Sequence, residues 1–318
     1  MKTNYYSKIK HTAKATYTQI SRKMLKILSS IALSLLFSLC SKTADIPQKP
    51  LKEWSEPIVL ASYNMEVRGN NATNPWEDRI PLMQQLLGAY NFDIIGVQEA
   101  FTSQLDDLEL SQVYEYIDHS IPGDNGVSRT PILYKKDKFK VVKNGVFWLS
   151  ESPDDPKGKA WDAPRPRICN WAIFEDKKSK VSFFMVNVHV WHQPLGIIAQ
   201  EEGLNLLLRK AQELSEGNPI IITGDFNIDQ NKPNYDLLDK SGIVRDSYNL
   251  TNTRMNASWG TFNGHNFDAR PSLRIDHIFV ETKHRINVHN WGIITDSFDK
   301  KFPADHFPVR AELSFLLD

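Results

Sequence analysis

Short apolar runs that stop abruptly at polar residues set the rhythm of this chain. Residues 58–63 (IVLASY) run into Asn64, and 92–97 (FDIIGV) run into Gln98 and Glu99. Between them, Ile80, Met83, Leu86, Leu87 and Tyr90 fall at helical spacing and predict a helix over 76–90. A second helix is expected over 102–110. Strands dominate thereafter: 131–134 with 141–149 as a neighbouring pair, then 167–174 with 181–189 as another, joined by a charged turn at 175–180. Leu204, Leu207, Leu208, Ala211 and Leu214 mark one side of an amphipathic helix over 197–214. The β-branched run 220–222 reads as a strand buried on both faces. A small helix near 235–240 and strands at 275–280, 287–294 and 307–315 complete the pattern, with loops at 152–166 and 249–273. No internal period and no second boundary interrupts it, so one α/β domain is expected over 57–318, its sheets packed together and covered by helices.

The N-terminal stretch follows a different rule. An apolar run of 13 residues, 27–39, is too short for a comfortable membrane span and has the length of a signal-peptide core. Cys40 directly after it resembles a bacterial lipoprotein cleavage site, although Leu39 stands where a small residue is usual. Residues 1–44 are therefore expected to be a leader, with a plain signal peptide or an uncleaved anchor as the alternatives and Met24 as a candidate true start. Residues 45–56, rich in Pro and Lys, would be a tether. This predicts an extracytoplasmic protein, secreted or held to a membrane by a lipid on Cys40.

Charge balance, 38 basic against 38 acidic residues, argues against tight non-specific binding to a long polyanion, while leaving a local basic groove open. The only other cysteine is Cys169, so disulfides do not hold the fold.

Chemistry concentrates where the apolar runs end. In the stretch 219–227 a buried strand delivers Gly224, Asp225, Phe226 and Asn227. Alternation lets Asp225 and Asn227 share a side while Phe226 enters the core. Asn64, Glu99, Asn187 with His189, and Asp276 with His277 stand at other strand ends, and Asp305-His306 precedes the last strand. Any one of these reads as a turn or a hydrogen-bonded core residue. Together they suit a hard cation such as Mg²⁺, or the proton transfers of a hydrolase.

The spelling Tyr63-Asn64, Gly96-Val97-Gln98-Glu99, Asn187-Val188-His189, Gly224-Asp225-Phe226-Asn227, Arg274-Ile275-Asp276-His277 and Ala304-Asp305-His306 resembles the endonuclease/exonuclease/phosphatase (DNase I-like) superfamily over roughly 57–316. Residues 145–153, 161–163 and 166–171 resemble a bacterial branch of uncharacterised members. The resemblance implies a four-layer α/β sandwich, two mixed sheets flanked by helices, with the site at one edge. It also implies that Glu99, helped by Asn64 and Asp305, holds Mg²⁺, with Mn²⁺ as an alternative. Asp225 would activate water, Asn227 would hold the phosphate, and His306, oriented by Asp276 or Asp305, would donate to its oxygens. His189 would be a second acid or phosphate donor. Arg167 and Asn187 fall to the phosphate side, Trp191 would stack on a base, a sugar or nothing, and Tyr134 is a phosphate contact or a core residue.

Some positions depart from the family's pattern. Trp191 replaces an acid, Gln200 an arginine and Glu66 an arginine, while Ser128 and Thr130 replace Glu and Asn. The core set is intact and the substrate contacts are altered. The expectation is a phosphodiesterase or nuclease, with a phosphatase or phosphodiesterase for small phosphoesters, phosphorylated sugars or lipid head groups as the alternative, and an inactive binding lipoprotein behind both. No obligate protein partner is expected.

Overall fold

The computed structural model describes residues 53–69, 73–120, 129–158, 160–192, 194, 196–283 and 285–317, all within the unit 52–318. The expected leader with Cys40, the alternative start at Met24 and most of the tether lie outside the described residues. Among the described residues no helix is long and apolar enough to cross a membrane.

In chain order the strands are β1 (Ile58–Asn64), β2 (Ile94–Gln98), β3 (Tyr114–Ile117), β4 (Ile132–Lys135), β5 (Phe139–Leu149), β6 (Arg167–Asp176), β7 (Ser182–His189), β8 (Ile220–Asp225), β9 (Val244–Asp246), β10 (Arg254–Met255), β11 (Asp276–Glu281), β12 (Ile286–Ile293) and β13 (Val309–Phe315). The helices are α1 (Trp76–Tyr90), α2 (Thr102–Asp107), α3 (Ile197–Leu214) and α4 (Pro233–Asp239). One sheet runs β10-β12-β13-β1-β2-β4-β3 and the other β5-β6-β7-β8-β11-β9. Both are mixed: β1 and β2 pair in parallel, as do β7 and β8, among antiparallel neighbours.

Alternation along β8 shows why two layers of helix are needed. Ile221 packs between the sheets with Ile58, Ile94, Phe183 and Ile278. Ile222 faces the other way, beneath α3 with Leu204, Leu207 and Phe279. Both are fully buried, each contributing roughly 2 kcal/mol. On the far face of the first sheet, Tyr63, Ile95 and Val97 pack under Trp76, Met83 and Leu87 of α1. The expected order of helices, sheet, sheet and helices is present.

Two expectations fail. The strands at 131–134 and 141–149 are not neighbours: β4 pairs with β2 and β3, while β5 pairs with β6 in the other sheet. The turn 136–138 thus carries the chain across the sandwich instead of closing a hairpin. The last residues of the expected tether are also part of the fold, since Ser55 N donates to Phe315 O at 2.8 Å and Leu317 N to Glu53 O at 2.8 Å. Short β3, β9 and β10 were not expected; with two to four residues each, they carry no readable alternation.

Where the C-terminal ends of β2, β7 and β8 meet, the two sheets touch through polar atoms. A Cβ on Gly96 would lie 2.1 Å from Thr223 Oγ1 and 2.7 Å from Asn187 Oδ1, so only glycine fits. Asn187 Oδ1 accepts from Gln98 Nε2 (2.7 Å) and Thr223 Oγ1 (3.0 Å), and its Nδ2 donates to Val97 O (2.6 Å) and Pro131 O (3.0 Å).

Candidate active site

Above this polar clamp the strand ends present their side chains together. Asn64, last residue of β1, donates Nδ2–H to Asp225 Oδ2 at 3.1 Å. Asp225, last residue of β8, also accepts from Asn227 N at 2.9 Å. His306 Nε2 lies 3.8 Å and His189 Nε2 3.5 Å from Asp225 Oδ2, and His189 Nε2 lies 3.8 Å from Glu99 Oε1. Asp276, first residue of β11 and paired with Asp225 in register, bonds His306 Nδ1 at 2.8 Å. Residues from six separate segments of the sequence therefore converge at one edge.

The backbone is strained there. Glu99 (φ 59°) and Asn227 (φ 52°) adopt the left-handed region, as do Glu66 (φ 55°) and His265 (φ 59°) beside them. Each costs on the order of 1 kcal/mol for a residue with a Cβ, a cost met by the surrounding structure. Just past the ends of β2 and β8, this conformation turns the chain out of the sheet at Glu99 and Asn227, and Asn227 Nδ2 donates to Val190 O at 3.0 Å.

Electrostatics follows from burial. The Asp225 carboxyl is pushed up to about 7 by desolvation and by the charge of Asp276, against the pull of His306 and its hydrogen bonds. Burial disfavours a charged His306, but Asp276, Asp225 and Asp305 overcome it and hold the imidazole well above its ordinary value. Glu99 is raised by burial and then by Asp305. Burial also raises Asp305. The result is a base near neutrality beside an imidazolium.

Two groups of residues could hold a hard cation. Glu99 and Asp305 are carboxylates in partial burial, and Asp305 Oδ1 is buried with no hydrogen-bond partner among the described residues. Such an orphaned oxygen fits a cation ligand, and Asn64 Oδ1, which accepts one hydrogen bond from Glu66 N, keeps a lone pair for a third oxygen contact. Asp225, Asp276 and His306 also bring one potential ligand atom each within 4.8 Å of one another. In that group His306 Nδ1 is already bonded to Asp276, which suits a proton-holding dyad better than an oxygen cage.

Behind the site lies a second charged cluster, of which residue patterns singled out only Glu66. Glu66 Oε2 is 2.6 Å from His265 Nε2 and 3.3 Å from Arg79 Nη1. Arg79 also donates to Met65 O, Glu66 O and Pro303 O. Glu66 N donates to Asn64 Oδ1 at 3.0 Å, and Asn263 N and Gly264 N to Asp305 O at 2.7 and 3.0 Å. The departure at Glu66 thus turns inward and braces Asn64. On a helix Arg79 reads as a solvent charge; its burial depends on tertiary packing. His265 sits in an aperiodic loop with no signal to find it by.

Three expected substrate contacts are placed differently. Tyr134 is not in the site: it pairs with Ile94 at the start of β2, packs on Phe174 with centroids 5.2 Å apart, and donates to Glu115 Oε2 at 2.7 Å. Asn187 lies below the site, its amide saturated in the clamp. Trp191 is 8 % exposed and donates Nε1–H to Arg165 O at 2.7 Å, with the Arg167 guanidinium over its ring at 4.4 Å. Arg167 donates to His189 Nδ1 at 3.3 Å. The loop 152–166 contributes Asp162, whose carboxylate accepts from Ile198 N and Ala199 N at the start of α3.

Residues 61–306 match the Endonuclease/Exonuclease/phosphatase family. Among solved structures, a member of that family from Bacteroides thetaiotaomicron is 37% identical with TM-score 0.74, covering 84% of this chain and all of that one. A mannosyl-6-phosphatase of Bacteroides thetaiotaomicron VPI-5482 is 38% identical with TM-score 0.72, covering 81% of this chain and all of that one. Exodeoxyribonuclease III of Haemophilus influenzae is 26% identical over 274 residues, 72% of this chain and 93% of that protein. The chain spans 27% of the length of an uncharacterized Acanthamoeba polyphaga mimivirus relative.

Proposed function

Because the chain belongs to the endonuclease/exonuclease/phosphatase family, we propose that it is a divalent-metal-dependent phosphomonoesterase acting on a small phosphorylated sugar outside the cytoplasm. The observation that carries this choice is the 38% identity to a mannosyl-6-phosphatase across that whole chain. Balanced charge agrees with it, since a small ester needs no long basic track. The preference therefore moves from the diester expected of the sequence to the monoester.

Mg²⁺ or Mn²⁺, held by Glu99, Asp305 and Asn64, would neutralise charge on the phosphoryl oxygens. Asp225 accepts the proton of the attacking water. Its carboxylate is fixed by Asn64 Nδ2 and Asn227 N, and its affinity for a proton lies near neutral pH. His306, charged and locked by Asp276, presents Nε2–H to the phosphoryl oxygens and gives that proton to the sugar oxygen as its bond to phosphorus breaks. Asn227 and His189 complete the donors around the phosphate, and Arg167, buried against His189 Nδ1, lies behind them.

The test is purified protein with Mg²⁺ or Mn²⁺ on mannose 6-phosphate, p-nitrophenyl phosphate, bis-p-nitrophenyl phosphate, DNA and RNA. Turnover of monoesters is expected. Turnover of diesters alone would replace this reading with the nuclease one, which the similarity to exodeoxyribonuclease III favours. Silence on all would leave a binding protein. The lipid on Cys40 and a start at Met24 remain part of the proposal; mass spectrometry of the mature N-terminus decides the first, and that of the uncleaved precursor decides the second.

A further inference from the structure

Trp191 and Gln200, two positions singled out in the sequence, touch. Gln200 of α3, 2 % exposed, donates Nε2–H to Trp191 O at 2.9 Å, and its Oε1 accepts from Asn234 Nδ2 at 2.9 Å. Trp191 is also tied through its indole N–H to Arg165 O. The indole is thus fixed from both its backbone and its ring, and it offers one face to the Arg167 guanidinium, itself only 2 % exposed. Arg167 in turn reaches the histidine at the end of β7, donating to His189 Nδ1.

A guanidinium has donors only. The ring nitrogen it meets must therefore be an acceptor, and the His189 proton must sit on Nε2, the atom that faces Asp225 Oδ2 at 3.5 Å and Glu99 Oε1 at 3.8 Å. An imidazole whose Nδ1 faced solvent would be free to exchange tautomers. We propose that Trp191, seated by Gln200, is a positioning residue: it holds Arg167 against His189 Nδ1 and so keeps the His189 proton on Nε2, aimed at the reacting group. This deepens the phosphoesterase reading and rests on it for the reaction served, though not for the hydrogen-bond chain. Trp191 is then no platform for a sugar or base. A nearly buried ring already covered by a cation has little face left to offer.

The experiment is long-range ¹H–¹⁵N correlation on the full folded domain with ¹⁵N-labelled histidine, with His189 assigned by loss of its signal in His189→Asn, together with kcat and KM on the turned-over phosphoester. In the unmodified protein, His189 Nδ1 is expected to show the shift of an unprotonated acceptor and Nε2 that of a protonated nitrogen. Arg167→Met and Trp191→Leu should average the two nitrogens and lower kcat about ten- to hundredfold, with KM changed less than threefold. Trp191→Phe, which keeps a π-face, should recover most of both signals. Gln200→Ala should fall between, and it serves if Trp191→Leu does not fold. His189 shifts unchanged in Arg167→Met, or a rise in KM alone in Trp191→Leu and Gln200→Ala, would overturn the proposal. Inactivity of the unmodified protein on every phosphoester would sink the functional reading, while the nitrogen shifts would still decide the positioning claim.

Discussion

Asp276 and His277 are adjacent in the chain, and each belongs to a buried carboxylate–imidazole pair, but β-strand alternation sends them to opposite faces. Asp276 meets His306 in the site; His277 meets Asp246 behind it. The Asp246 pair is saturated. Its Oδ2 takes His277 Nδ1 (3.1 Å), the Tyr235 hydroxyl (3.0 Å) and the nearby Arg274 (3.5 Å), Oδ1 takes Tyr248 N (2.9 Å), and His277 Nε2 meets Ile228 O (3.0 Å). Although burial pushes Asp246 up, His277 and Arg274 hold it below the ordinary carboxylate range. In the Asp276 pair, Asp276 Oδ1 has no partner among the described residues, and His306 Nε2 faces the raised carboxyl of Asp225. The same two residue types make a structural rivet when every oxygen and ring nitrogen has a partner and a reactive centre when one end is left for a visitor.

The comparison breaks most sharply at the reactive pair. Asp225→Asn and His306→Ala should each lower kcat about a thousandfold; Asp225→Asn should leave the thermal midpoint of the metal-free protein unchanged or raised, whereas His306→Ala should lower it by stripping the buried Asp276 of its partner. Near-normal turnover in either would remove that residue from the chemistry. At the sealed pair, His277→Gln should cost about 3–5 kcal/mol, because it strips the buried Asp246 charge of its main partner. Denaturant titration reads that loss, and the fraction still folded should turn over within twofold of normal. Asp276→Asn sharpens the contrast, with an expected loss of about a hundredfold in kcat and little in stability.

The two acids also predict opposite pH behaviour in chelator. Asp225 has a folded pKa raised from 3.8 to about 7, so between those values the folded state binds the extra proton and stability rises as pH falls. Asp246 is depressed, so its contribution is present above the unfolded value near 4 and is lost as pH falls below that through the folded value. Asp225→Asn should flatten the slope between pH 4 and 7; an unchanged slope would deny the shift. The smallest effect is expected for Tyr235→Phe, about 1 kcal/mol of stability with kcat intact.

Much of this was readable because a buried strand announces itself by an unbroken apolar run, and the polar residue that ends it is conspicuous. Asn64, Glu99 and Asp225 were legible for that reason, and His306 for standing just before the last such run. What the pattern could not supply was direction and partner. Asn187 sits at a strand end like the others, yet it spends its amide between the sheets, because Gly96 lets β2 approach it closely. Tyr134 lies in a short apolar run whose register, not its composition, carries it away from the edge. The pairing of 131–134 with 141–149 looked local, whereas β4 and β5 fill different sheets. Glu66 and His265 are 199 positions apart and meet only after the loop has folded.

The amide of Asn187 sets one further expectation. With Gln98, Thr223 and Gly96 stitching the two sheets together directly under the reactive groups, the half of the molecule that carries Glu99 and the half that carries Asp225 cannot slide apart or close like jaws. Their spacing is cast when the chain folds, before any ester arrives. Such an anvil would trade adaptability for speed: turnover has no closing stroke to wait for, and new specificities have to come from the loops around the rim.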